Sequence, residues 1–306
     1  MPPPDQTRLR ALVSLLADES SRVVAEARRA LRQEGSDALP HLELAMEEGD
    51  ARLRARARLA REEVRVHLLE RELRMLRGRL DRDPSALEEG CILIARTRDP
   101  DLDPASVRAA LDAMADDLAA RLGASEHPVA VLKIMTRLLA RELGFHGNQR
   151  NYYDPDNSYL HKVLERRTGI PISLCAVYLF VARRAGIPLA GVGMPGHFVL
   201  RHVQAEPALF VDPFGGGRLL SERDCLRYLE AEGQGGYDSS WLLPMTDGAM
   251  LLRMVRNLLL IYRNRGDFAR QEVLRRLKGV LVGDEARGPE LDNADKGIDR
   301  RSDGEQ

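Results

Sequence analysis

The chain has 306 residues, 44% of them hydrophobic and 30% charged, with a formal net charge of -1. That length and apolar content support two cored domains, or three small ones, and near-neutrality removes the global field that draws a protein to nucleic acid. Apolar runs such as 174–182 fall short of the roughly 18 residues of a membrane span, and the opening "MPPPDQTRLR" lacks the charged start and apolar core of a secretory signal, so a cytoplasmic protein with no membrane partner is expected.

Residues 1–82 are rich in Ala, Leu, Arg and Glu and read as helices throughout. Superposed on itself at an offset of 30, this region pairs Leu12 with Leu42, Leu16 with Met46, Arg22 with Arg52, Ala25 with Ala55, Ala27 with Ala57 and Ala30 with Ala60. The segments "LVSLLADESSRVVAEARRAL" and "LELAMEEGDARLRARARLA" are similar to two copies of a HEAT-type repeat, whose small residues let helices approach closely. An Ala/Arg-rich helical hairpin accounts for the same pattern. In "RARARLAREEVRVHLLERELRMLRGRL" the basic residues form the solvated face of one long helix; no aromatic residue interleaves them, so nucleic acid is not an expected partner.

From residue 83 three helical segments follow, separated by Asp-Pro and His-Pro punctuation, and then a polar loop, "HGNQRNYYDPDNSY". The apolar helix "GIPISLCAVYLFVARRAGIP" ends at Gly186. Two candidate strands come next, "LAGVGM" through "HFVLRHV", and "ALFVDPF". This order predicts an α+β fold, mostly helical, with a buried helix against a small antiparallel sheet. Breaks at "DRDPSA" and "EGQGGYDSSW" divide the chain into a helical region 1–82, a central domain 83–236, a C-terminal helical segment 237–282 and a charged tail, 283–306, expected to be disordered.

The tokens Asp-Pro-x-Asn-Ser, Gly-Ile-Pro-Ile, Pro-Gly-His-Phe and Asp-Pro-Phe, all within 84–230, resemble the bacterial SirB-type family of the transglutaminase-like superfamily. The resemblance implies a papain-like core in which a cysteine begins a buried helix, and a histidine and an aspartate lie on neighbouring strands. "RMVRNLLLIYRNRGDFARQEVLRRL" is similar to the segment that opens a tetratricopeptide-like helical pair in that family.

A cysteine nucleophile needs a helix N-terminus to favour its thiolate, a histidine to take its proton and an aspartate to fix the ring. His197 and Asp212 stand where the resemblance requires them. The cysteine does not: its expected place, fifteen residues before Gly186, is Pro171. Cys175 lies four residues further on, about 6 Å along the helix and on much the same face, among Leu174, Ala176 and Val177, where burial makes a thiol inert. Ser173 is a weaker nucleophile candidate. Two readings remain: a domain without its nucleophile that binds a protein or peptide, or a cysteine-dependent acyl transferase or peptidase using Cys175, His197 and Asp212. Tyr153, Asp154 and Asn157 suit a loop lock or the rim of a binding cleft, and Arg201, counted onto the His197 face, suits an anion or that loop's carboxylates. No cofactor is expected. No metal is expected either, because His197 and His202 point to opposite faces with no carboxylate at ligand spacing. Cys91, Cys175 and Cys225 include no CxxC and are expected to be reduced.

Overall fold

Of the alanines that recur at the offset of 30, the pair Ala27 and Ala57 packs inward. In the computed structural model, which describes residues 6–231 and 239–283, the chain separates into two units, Met1–Met75 and Leu76–Gln306. The expected disordered tail, from 284 on, and the break around Tyr237 lie outside the described residues. The first unit contains α1 (Gln6–Ser14), α2 (Ser21–Glu34), α3 (Leu39–Glu48) and most of α4 (Ala51–Arg77). Its core joins Leu9, Leu16, Leu31 and Leu42 with Ala27, Ala57 and Ala60. Ala27 and Ala57 are buried where their neighbours Arg22, Arg52, Ala25 and Ala55 are exposed, so the two copies share one inward face. Polar groups hold the rim. Arg56 Nη1 donates to the carbonyls of Leu16 at 2.8 Å and Asp18 at 2.7 Å, satisfying acceptors left open where a helix ends. Arg28 and Arg32 both pair with Glu63 across α2 and α4. Partly exposed pairs of this kind contribute about 1 kcal/mol or less each, so they set register more than stability.

The second unit begins with α5 (Ala86–Arg96), α6 (Pro104–Leu122) and α7 (Pro128–Thr136), each at the place the Asp-Pro and His-Pro punctuation predicts. Asp103 caps α6, its side chain accepting from the Ala105 amide at 3.0 Å, with Pro104 in the first turn where a missing N–H costs nothing. After α7 the backbone widens into a π turn over Arg137–Glu142. A two-residue parallel bridge follows between β1 (His146–Gly147) and β2 (Thr168–Gly169), with α8 (Leu160–Arg166) between them.

Next comes α9 (Pro171–Arg184), whose residues 171–182 are all buried. A helix apolar on every side sits inside a fold rather than on it. Helices α6, α8 and α11 and strands β3 and β4 touch it. The sheet is fully antiparallel, in the order β3 (Leu189–Val192), β4 (Val199–His202), β5 (Leu209–Asp212) and β6 (Arg218–Ser221). The two candidate strands thus become four. Pro195 and Gly196, the latter with φ of 68°, turn the chain between β3 and β4, and Gly216 and Gly217, also at positive φ, turn it between β5 and β6. The last helices are α10 (Glu222–Ala231), α11 (Asp247–Asn264) and α12 (Phe268–Val282). Helix α11 reaches α5 through Gly90, where an added Cβ would lie 2.5 Å from Leu251, and through Cys91, whose Sγ is 3.7 Å from Met254 Sδ. Arg184 ties α9 to α5 with two bonds to Glu88, at 2.7 and 3.1 Å. Among the described residues no helix is long and apolar enough to cross a membrane. The three cysteines are free and buried.

His161 in α8 is 9% exposed, and neither ring nitrogen has a hydrogen-bond partner. Burial foremost, then Lys162, holds its pKa below the ordinary 6.5, against the opposing pull of Asp99, Asp156 and Glu165. A histidine with a lowered native pKa binds fewer protons folded than unfolded, so stability is lost as pH falls below the unfolded value. Urea midpoints measured between about pH 7.5 and about pH 5.5 should therefore decline on acidification, and His161→Asn should flatten that decline; an unchanged slope in the variant would show that His161 is not its source.

Candidate functional site

His197 closes a tight turn. Its amide donates to the Met194 carbonyl at 3.2 Å, with Pro195 and Gly196 at the two central positions, the signature of a type II turn. Arg253 of α11 pins this turn from behind: Nη2 donates to the Met194 carbonyl at 2.8 Å and the His197 carbonyl at 3.0 Å, and the guanidinium lies 5.5 Å from the centre of the Phe198 ring. The Tyr228 hydroxyl, from α10, donates to the Gly196 carbonyl at 3.5 Å.

Asp212 ends β5 one strand away. Its Oδ1 lies 3.2 Å from His197 Nε2 and accepts from the Gly215 amide at 3.0 Å. Burial pushes its carboxyl pKa up, but the His197 hydrogen bond and charge, the Gly215 amide and the charge of Arg218 together outweigh that and hold it below the ordinary carboxylate value. An ionised Asp212 accepts from Nε2–H, which fixes the tautomer of a neutral ring and leaves Nδ1 with its lone pair. Nδ1 makes no hydrogen bond among the described residues, and the His197 side chain lines the adjoining cleft. That cleft has a volume of about 330 Å³ and is lined by Met194, His197, Asp212, Arg218, Arg227 and Tyr228 among others.

The first position of α9 is a proline, Pro171, after Ile170 as cap. Ser173 Oγ accepts from the Ile170 amide at 3.1 Å and donates to the Asn157 carbonyl at 2.5 Å, so this fully buried hydroxyl is committed to closing the helix end. Cys175 has no exposed surface, and its thiol donates to the Phe198 carbonyl at 3.5 Å rather than to the His197 ring. Burial pushes its pKa well above the ordinary thiol value, the charge of Asp212 adds to the rise, and Arg253 opposes it. Cys225 borders the cleft, yet burial, with Asp224 and other carboxylates, pushes it to about 12. Neither sulfur is a thiolate near neutrality.

The loop residues divide. Asn157 is fully buried; its Nδ2 donates to the carbonyls of Asn151 at 2.7 Å and Tyr152 at 3.1 Å, and its Oδ1 accepts from Asn148 at 3.1 Å. Asp154 caps the following turn through the Asp156 amide and receives Arg166 at 2.8 Å. These two lock the loop. Tyr153 packs edge-on to Tyr152 at 5.3 Å, Tyr152 to Phe214 at 5.9 Å, and Phe214 to His197 at 6.1 Å; Tyr228 also packs against His197, at 5.0 Å. Tyr153 thus begins a row of rings that reaches the site. Arg201 lies apart, over Phe210 and donating to the Leu242 carbonyl at 3.4 Å, while Arg98 and Arg166 hold the loop carboxylates. Strand β4 begins only at Val199, so alternation cannot be counted from His197 to Arg201. Among the described residues no group of three His, Cys, Asp or Glu side chains has metal-ligand geometry.

Sequence reasoning missed Arg253, Arg218, Phe214 and Tyr228 as parts of the site. Phe214 belongs to the Asp-Pro-Phe token, and Arg253 carries a charge on an apolar helix stripe; both are signals that could have been followed.

Comparison with known proteins fits this arrangement. Residues 105–256 match the transglutaminase-like superfamily. A UPF0162 protein of Xylella fastidiosa (strain Temecula1 / ATCC 700964) is 38% identical over 193 residues, covering 60% of this chain and 68% of that protein. A UPF0162 protein of Pseudomonas aeruginosa is 34% identical over 194 residues, 61% of this chain and 69% of its own. F-box only protein 21 of Homo sapiens is 39% identical over 154 residues, 47% of this chain but 24% of that longer protein. No solved structure matches. The chain therefore belongs to the UPF0162 family and carries a transglutaminase-like superfamily domain.

Proposed function

We propose that this protein is a binding module of the SirB type: the cleft beside His197 and Asp212 receives a segment of a protein or peptide partner, and no acyl transfer takes place there. One observation carries the reading. The helix start that would present a nucleophile is closed by Pro171 and by the Ser173 and Asn157 bonds, and the sulfur of Cys175 is buried against the Phe198 carbonyl. The similarity to a quarter of F-box only protein 21 supports use of the domain as a module inside other chains. The first unit, with its two alanine-rich copies on one inward face, is read as a HEAT-like flanking surface, and α11 with α12 as a tetratricopeptide-like pair. Three reduced cysteines suit a cytoplasmic setting.

The competing reading is a cysteine enzyme, favoured by the bond between His197 and Asp212. Iodoacetamide labelling of the native protein at about pH 7, followed by mass spectrometry, separates the two. Cys175 should label as slowly as Cys91, and only after unfolding in urea. Rapid, selective modification of Cys175, or peptide turnover that disappears in Cys175→Ala, would establish the enzyme instead.

Arg253 offers a second check. Arg253→Met strips two carbonyls of their charged donor and should cost about 1–3 kcal/mol of stability, with faster amide hydrogen exchange at His197. Arg253→Lys, which keeps one donor, should recover part of both. Unchanged exchange at His197 in Arg253→Met would mean that the turn holds itself.

A further inference from the structure

Two arginines border the cleft, and they differ in what they touch. Arg227 is paired with Asp224, one turn away on α10, and Asp224 is further held by the Ser221 amide and hydroxyl. The Arg218 side chain makes no ion pair or hydrogen bond with any described residue. It stands directly across the β5–β6 ladder from Asp212, so both side chains project on the same face of the sheet. Asp212 feels its charge but makes no hydrogen bond or ion pair with it: Oδ1 is committed to His197 and Gly215, and an added Cβ at Gly215 would lie 2.6 Å from Oδ2.

The cleft thus offers three things side by side. There is a ring nitrogen, His197 Nδ1, that accepts a hydrogen bond. There is an unengaged guanidinium, Arg218, that donates to an anion. There is also Tyr228, its ring 5.0 Å from that of His197. A volume of about 330 Å³ is at the small end of ligand sites. A backbone N–H matches the first group, and a carboxylate, with its two oxygens, matches the planar fork of the second.

Resting on the binding-module reading above, we propose that the cleft selects a peptide segment bearing a carboxylate, which pairs with Arg218 while a neighbouring N–H of the same segment donates to His197 Nδ1. The charged side chains lining the cleft cancel, Asp212 and Asp224 against Arg218 and Arg227, so discrimination comes from this one pair and not from a general field.

Capped tetrapeptide pools test this on the full chain. Acetyl-X-X-Glu-X-amide is compared with acetyl-X-X-Gln-X-amide, X excluding Asp and Glu, and a third pool without acidic side chains carries a free C-terminal carboxylate. Binding is followed at about pH 7 through the nitrogen and proton shifts of the Arg218 side chain and the His197 ring. A carboxylate pool should bind about fivefold or more tighter than the Gln pool, and whichever of the two is preferred identifies the source as a side chain or a chain end. Arg218→Gln should abolish the preference and lower the melting temperature by no more than a few degrees, since this exposed side chain acts on Asp212 only through its charge. His197→Gln should weaken all pools alike. Equal binding of the Glu, Gln and free-terminus pools, or a preference that survives Arg218→Gln, overturns the selectivity and leaves the binding module standing. No shift at the cleft from any pool at millimolar concentration overturns both.

Discussion

A single hydroxyl closes the most consequential point in this fold. Ser173 Oγ accepts from the Ile170 amide and donates to the Asn157 carbonyl, so one buried atom joins the first turn of α9 to the polar loop that precedes it. Asn157, itself fully buried, holds that loop by three further bonds. Buried polar groups of this kind are costly unless every partner is present, and a satisfied set imposes one arrangement. The amide of Ile170, which caps the apolar helix, is met at this knot, by Ser173 Oγ and the Asn157 carbonyl. The same closure commits the Ser173 hydroxyl to holding the helix end.

The sheet then builds a site against a sealed wall. Glycine and proline turns, rather than strand interiors, carry the chemistry: His197 follows Pro195 and Gly196, and Asp212 precedes a run of three glycines. Loops placed by a rigid scaffold are the usual seats of binding groups. Here the scaffold is α9 beneath and α11 behind, and the aromatic row from Tyr153 to Tyr228 forms the visible face.

Much of this was legible in the residues. Helices α6 and α7 begin at a Pro that follows Asp or His, α5 begins two residues after Pro84, and α9 declares itself by an apolar run bounded by Gly-Ile-Pro on both sides. His197, Asp212 and the vacancy of Pro171 are readable from spacing within a resemblance. What was not legible depends on contacts between distant segments. "RLLS" is too short and too mixed to announce β6, and it exists because the glycine turn returns it to β5. Arg201 was counted onto the wrong reference because the strand starts two residues after His197. Arg253 lies 56 residues from His197, and no local pattern links a helical arginine to the carbonyls of a remote turn.

That last contact has a thermodynamic consequence. Because α11 reaches the His197 turn through a charged donor, a ligand bound in the cleft as proposed and seated on that turn would be coupled to docking of the helix, and coupling is reciprocal: each would strengthen the other by the same factor. A protein that engaged α11 from outside would be felt in the cleft as a change in affinity, without touching it.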